Sequence, residues 1–340
     1  MSLVPMIPFA QRLKCLKWHA DPDTGSPYWI AFFADRPGLL EAVAENPLTA
    51  GLMPVQTLRD HPLEWFVSKG VLARNGRLIT GETSGFSGPP VLTVYQEPEF
   101  DAGFVEPFLA RAAQIGFPVK RRWLWAGPGG PHIIGKAVHA ILAKVGGMDP
   151  YSIDFDPRWY RRLDEGSMSR QRYFAHVEEQ VRRLASTQKV EVIFSTPPVI
   201  AKLAEALPEA LRLAVEGVHY GGLSISATDY AWFRERFPHA VHLSGYGNSL
   251  FGMFPETGCG PGGIEYGTAS NRVDVQVVEP AGADGWRACE AGTTGRVLMS
   301  RYDESVLLLN LLERDVAVRT ERGIRNPHPS ERQKPLQVIY

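Results

Sequence analysis

At 340 residues with 44% hydrophobic side chains, the chain is long enough for one large domain or two smaller ones around a substantial core. Its 36 basic and 37 acidic residues leave a net charge of −1. That balance excludes both a chain-wide basic field that would recruit nucleic acid and the acidic excess of a disordered chain.

The first informative stretch is Thr83-Ser84-Gly85-Phe86-Ser87-Gly88-Pro89-Pro90, directly ahead of a strand expected over 91–95. Glycines let a backbone approach a phosphate, and hydroxyl and N–H groups donate to its oxygens. The same residues would equally serve an ordinary hairpin turn. Apolar residues at helical spacing predict a helix over 104–115, followed by a strand over 121–126 and the loop Gly127-Pro128-Gly129-Gly130-Pro131-His132. A helix over 133–145 stops at Gly146-Gly147. A polar, Arg- and Glu-rich helix over 167–186 precedes a buried strand over 190–194. Ser195-Thr196-Pro197-Pro198 then reads as the cap and first turn of another helix. The segment 215–220 leads into Gly221-Gly222, a helix follows over 228–236, and a strand over 240–244 ends at Gly245-Tyr246-Gly247.

Beyond Gly252 the texture changes to short alternating runs, 273–278 and 295–299, expected as antiparallel strands. Gly292-Thr293-Thr294-Gly295 looks like another phosphate loop, though the family resemblance carried by other segments places it at a strand turn, and it is read as a turn. An apolar run over 306–312 ends at Glu313-Arg314-Asp315, and 323–340 is polar and proline-containing. With neither repeat nor linker, 1–340 reads as a single α/β domain. Its α/β part covers about 1–250, its β-rich part about 251–322, and a tail follows over 323–340. Three widely spaced cysteines, Cys15, Cys259 and Cys289, lack zinc or redox spacing and fit a reducing compartment. No apolar run approaches the ~18 residues of a membrane span. The local clusters Lys120-Arg121-Arg122 and Arg161-Arg162 read as solvated faces. A cytoplasmic protein with no nucleic-acid or membrane partner is therefore expected.

Four segments, in this order and over roughly 80–320, resemble the adenylate-forming superfamily of acyl-CoA ligases, luciferases and adenylation domains. The chain looks most like its phenylacetate-CoA ligase and acyl-protein synthetase branch. The resemblance implies the superfamily's large N-terminal domain, with stacked α/β sheets and a β-rich, barrel-like part. It also implies ATP and Mg²⁺ as cofactors. Thr83, Ser84, Gly85, Ser87 and Gly88 match the loop that holds the β- and γ-phosphates, but Phe86 replaces a small hydroxyl and Pro89 a lysine. His132 falls where a residue lines the acid pocket near the α-phosphate, as a catalytic candidate; a helix-capping loop with an exposed histidine is the competing reading.

Tyr220-Gly221-Gly222-Leu223 resembles the glycine pair beside adenine, and Ser244-Gly245-Tyr246-Gly247-Asn248-Ser249 the Tyr-Gly-x-Thr-Glu motif. Tyr246 would stack on adenine, and Ser249 would meet the α-phosphate as a catalytic residue. Leu250 occupies the position of a glutamate that helps hold Mg²⁺. The metal would then rest on the triphosphate or on another carboxylate such as Glu256, and no protein ligand is assigned. Tyr220, Ser244, Gly245, Tyr246, His132 and Trp125 fall near the inferred acid pocket. Asp315 matches the ribose-binding aspartate, its alternative being a strand-end turn residue.

The chain ends at Tyr340, about 25 residues after Asp315. The family's small mobile C-terminal domain of ~100 residues, with its adenylation lysine, is therefore expected to be absent. These features lead to an ATP-dependent ligase that activates an aromatic, amino- or hydroxybenzoate-like acid as acyl-AMP. It would transfer the acyl group to an oxygen or nitrogen nucleophile, as in benzoxazole-type pathways. An activating subunit that hands the acyl group to CoA, a carrier or a partner protein is one alternative. A non-catalytic nucleotide-binding homologue is another. A second copy of the chain is a candidate partner.

Overall fold

A computed structural model describes residues 7–85, 88–260, 262–267, 271–282 and 285–330. In chain order its strands are β1 (Leu78–Glu82), β2 (Leu92–Gln96), β3 (Trp123–Gly127), β4 (Tyr151–Asp154), β5 (Val192–Ser195), β6 (Gly217–Tyr220), β7 (Val241–Asn248), β8 (Gly252–Gly260), β9 (Gly263–Gly267), β10 (Val273–Ala281), β11 (Gly285–Ala288), β12 (Thr294–Tyr302), β13 (Leu307–Arg319) and β14 (Gly323–Pro329). The chain gathers into two compact units. One takes in residues up to Gly103, Ser249–Gly252 and the segment from Glu265 onward; the other takes in Phe104–Asn248 and Met253–Ile264.

In the first unit, β10, β12, β13 and β14 form an antiparallel sheet, with β11 on one side and residues 265–267 pairing with β14 on the other. The helices Phe9–Ala20, Pro27–Phe33 and Leu39–Glu45 come at the start of this unit. They bury Leu16, Trp29 and Val43. The Trp29 indole N–H donates to the Leu307 carbonyl at 2.8 Å, which fixes an N-terminal helix against the start of β13. A separate hairpin, β1–β2, pairs Leu78 with Gln96 through Glu82 with Leu92.

The second unit is built on parallel strands in the order β4-β3-β5-β6-β7. All residues of β3, β5 and β6 are buried, which is why these strands read as continuous apolar runs. The helices Ile133–Lys144, Pro197–Ala206 and Ala227–Arg236 connect them, as βαβ crossovers require.

Most expected elements are found within two residues of their predicted ends, and several differ in an instructive way. The helix expected from 104 begins at Glu106, after a wider turn over Asp101–Val105. Thr196 does hold the N-cap position ahead of Pro197, yet its hydroxyl makes no capping bond. The strand expected to stop at 244 continues through the glycine-rich motif to Asn248, and the run over 306–312 continues through Asp315 to Arg319. Part of the expected tail, Gly323–Pro329, is a sheet strand. Among the described residues, no helix is long and apolar enough to cross a membrane.

Candidate functional site

In the second unit, register aligns four strand ends. Ala126 pairs with Ser195, Ser195 with Tyr220, and Tyr220 with Ser244. The segments that follow are Gly127–His132, Thr196-Pro197, Gly221-Gly222-Leu223 and the Gly245–Asn248 end of β7. In parallel α/β sheets, ligands bind outside the carboxyl ends of the strands, where these segments lie.

The layer is closely packed where the glycines stand. Ser195 Oγ donates to the Ala126 carbonyl, and Gly221 N–H donates to the Ser195 carbonyl at 3.2 Å. A Cβ on Gly127 would stand 2.3 Å from the Trp125 indole, and one on Gly221 would stand 3.1 Å from Phe194. Gly222 and Gly247 have φ of +79° and +141°, a region where only glycine is unstrained. A Cβ on Gly245 would meet Met253 at 3.1 Å. His132 sits at the N-cap position of Ile133–Lys144 and is nearly buried, which departs from the reading of an exposed capping-loop histidine. Tyr246 is largely buried, its ring centroid 6.4 Å from that of Phe254.

Tyr220 faces inward. It is fully buried, with its ring 5.0 Å from Phe233 and its hydroxyl 2.6 Å from His242 Nδ1. His242 Nε2 lies 3.2 Å from the Phe237 carbonyl, which can only accept, so Nε2 carries the proton and Nδ1 accepts from the phenol. Burial pushes the pKa of His242 down to about 4 and that of His219 to about 4, so both are neutral at pH 7. His219 donates from Nδ1 to the Leu243 carbonyl at 2.9 Å, with its ring 4.2 Å from that of Phe194.

Glu256 accepts from the Ser244 N–H and from the Tyr230 hydroxyl, both at 3.1 Å. Burial raises its pKa, and these two bonds only partly offset the rise. It is thus committed to the interior beneath Ser244. The side chain of Leu250 offers no oxygen, and no group of three His, Cys, Asp or Glu that could hold a metal occurs among the described residues. These residues do not fit a protein-held magnesium.

In the first unit, the Ser/Thr/Gly segment is the tip of the β1–β2 hairpin. Thr83 N–H donates to the Val91 carbonyl at 2.9 Å, and Val91 N–H donates to Thr83 Oγ1 at 2.9 Å. Ser84 is exposed; Gly85 and Gly88 have φ of +64° and +141°. Phe86 and Ser87 lie outside the described residues. Ser249 joins this loop, its hydroxyl donating to the Glu82 carbonyl at 2.9 Å. Asp315 lies within β13, opposite Pro329, with a carboxylate oxygen 3.5 Å from Arg314 Nε.

A set of residues that no motif announced holds the segment next to Ser249. The carbonyls of Ser249, Leu250 and Phe251 accept in turn from Tyr95 Oη at 2.8 Å, Arg301 Nη1 at 3.3 Å and Arg272 Nη1 at 3.4 Å. The Arg301 guanidinium lies 3.6 Å above the Tyr95 ring. Both arginines bond the buried Asp303, Arg272 through Nε at 2.7 Å and Arg301 through its own Nε. Burial alone would raise the pKa of Asp303, but the two guanidiniums hold it below the usual carboxylate range. The only sequence signal was charge inside the apolar stretch 297–312.

No protein-family model matches the chain. No curated protein matches it in sequence. Solved structures do. 2-Hydroxyisobutyryl-CoA ligase in complex with 2-HIB-AMP and CoA, in the thioesterification state, is similar with a TM-score of 0.61 at 14% identity, over 94% of this chain and 66% of that chain. An open conformation of that ligase gives 0.61 at 14% identity, over 94% and 67%. The ATP-bound RpMatB-BxBclM chimera B1 gives 0.52 at 16% identity, over 74% and 47%. The chain thus spans about two thirds of the ligase's length and under half of the chimera's. The shared architecture is the α/β fold of the large domain of adenylate-forming enzymes.

Proposed function

We propose that the protein activates a carboxylic acid with ATP and passes the acyl group to a nucleophile. The observation that carries this reading is the alignment of Ala126, Ser195, Tyr220 and Ser244. It gathers the ends of four parallel strands, with the motif loops beyond them, in a fold shared with adenylate-forming enzymes. The ligase of that fold described above is complexed with 2-HIB-AMP and CoA, an adenylate and an acyl acceptor.

On this reading, Tyr246 stacks on adenine beside Gly221, Gly222 and Leu223, with Gly247 and Asn248 next to it at the end of β7. Asp315 accepts from the ribose hydroxyls. Thr83, Ser84, Gly85, Ser87 and Gly88 hold the β- and γ-phosphates, and Ser249 meets the α-phosphate. His132, Trp125, Ser244 and Gly245 border the acid, while Tyr220, packed against Phe233 and His242, supports the strand end beneath it. Magnesium enters on the nucleotide as part of the substrate.

A carboxylate oxygen attacks the α-phosphorus, and the bond to the β-phosphate oxygen breaks. Its electron pair leaves with pyrophosphate. No proton is transferred in that step, so positioning and charge stabilisation supply the catalysis. The aromatic rings around the strand ends favour an aryl acid of the aminobenzoate or hydroxybenzoate class, as the phenylacetate-CoA ligase-like branch would use. The acceptor is an oxygen or nitrogen nucleophile. The CoA-bound ligase favours a second reading, delivery to CoA or a carrier.

Exchange of pyrophosphate into ATP, run on the purified chain across benzoates, aminobenzoates, fatty acids and 2-hydroxyisobutyrate, tests the proposal. Exchange dependent on one acid supports it. Silence across the panel from a chain that binds ATP would replace it with a nucleotide-binding protein that does not turn over.

A further inference from the structure

The hairpin loop that reads as a triphosphate site carries no cation of its own: residues 83–90 hold neither lysine nor arginine, and Pro89 stands where a lysine is expected. A triphosphate brings several negative charges, and backbone N–H groups alone neutralise none of them.

The fold supplies a cation from elsewhere. Arg59 lies on the short helix Val55–Asp60, and its Nε donates to the Pro89 carbonyl at 2.9 Å. Its guanidinium also lies flat against Gly88. A Cβ built there would stand 3.0 Å from Cζ, from Nη1 and from Nη2 alike. Gly88 therefore meets two demands, a φ of +141° and the absence of a side chain in the space the guanidinium takes. The guanidinium is thus anchored to the loop at Pro89 and lies over Gly88. A guanidinium stays charged at any physiological pH and can grip two phosphate oxygens at once.

We propose that Arg59 is the cation of the phosphate loop, binding the β- and γ-phosphates of ATP in place of the lysine that Pro89 displaces. The proposal rests on the ATP reading above.

Calorimetric titration of ATP and of AMP into wild type, Arg59→Ala, Arg59→Gln and the double variant Arg59→Ala/Pro89→Lys tests it. The expected result is ATP binding weakened about tenfold to a hundredfold in both single variants, the loss that charged hydrogen bonds carry. AMP binding should change less than about twofold in the same proteins, and Pro89→Lys should restore part of the ATP affinity. AMP binding serves as the check that each variant is folded, and Arg59→Gln decides the matter if Arg59→Ala is not. Equal weakening of ATP and AMP, or ATP affinity that stays at the wild-type value, overturns the role of Arg59 and leaves the ATP site standing. A wild-type chain that binds neither nucleotide overturns both.

Discussion

The Ser249 hydroxyl donates to the Glu82 carbonyl at 2.9 Å, joining positions 167 residues apart. The end of β1, where the glycine-rich hairpin loop begins, and the residue after the Tyr-Gly motif are thereby fixed to one another before any ligand arrives. Preorganisation of this kind holds polar groups in place without reorganisation at the moment of reaction. Ser249→Ala should lower stability by about 1 kcal/mol through the lost bond. It should reduce acid-dependent pyrophosphate exchange further than that loss explains. Urea melts and exchange rates on the same preparation check both expectations, and exchange that falls only in proportion to folded protein would remove Ser249 from the chemistry.

Asp303 is the carboxylate that both interior guanidiniums bond, so Asp303→Asn removes the negative charge that Arg272 and Arg301 share. Breaking a buried pair from one side costs about 3–5 kcal/mol. The pKa of Asp303 is held below its unfolded value, so its contribution is present above the ordinary carboxylate range and is lost as pH falls through the lower folded value. Wild type and variant should therefore converge in stability in strong acid. Chemical denaturation at pH 7 and near pH 2 measures the difference.

His219 gives a pH effect in a higher window. Its pKa falls from 6.5 to about 4 on folding because burial disfavours the charged ring. The unfolded chain then binds more protons between these values, and the stability from this group is full above pH 6.5 and disappears toward pH 4. The contribution is about 3 kcal/mol at full extent. Asp274 works in the opposite sense. Burial raises its pKa to about 6, so its contribution is lost as pH rises through that value. Comparison with His219→Gln, which does not titrate, isolates the histidine: the variant's stability curve should be flatter between pH 4 and 6.5. Parallel curves would show that His219 titrates normally.

Asp315→Ala should weaken ATP and AMP together, by about 1–3 kcal/mol, because both nucleotides carry the ribose it is assigned to hold. Arg59 variants should separate the two nucleotides, and this one should not. Titration of adenosine provides the third point, and an unchanged adenosine affinity would remove Asp315 from the ribose site.

Much of the second unit could be read from sequence, because its strands are buried on both faces and its helices begin or end at proline and glycine. Three misreadings share one physical origin. Gly245-Tyr246-Gly247, Glu313-Arg314-Asp315 and 323–329 carry residues that locally favour turns, yet a neighbouring strand supplies the hydrogen bonds that keep them extended. Tyr220 looked like a pocket residue because it precedes two glycines. Strand alternation turns its ring inward toward Phe233 and His242. Arg59 and the Tyr95–Arg272–Arg301 group were invisible for a different reason. Each acts on a segment at least 20 positions away, and no local pattern encodes a side chain's reach across the fold.

The three carbonyl contacts at residues 249–251 bear on how such a protein can change over time. A backbone gripped by its carbonyls is held without calling on the polar chemistry of its own side chains, so within the limits of the buried space at Leu250 and Phe251 this stretch can exchange residues without rerouting the chain. Leu250, at the position where the resemblance places a glutamate, would be one such exchange. The burden of inheritance falls on distant positions instead: a lineage that altered Tyr95, Arg272 or Arg301 would lose the course of a motif whose own letters had stayed the same.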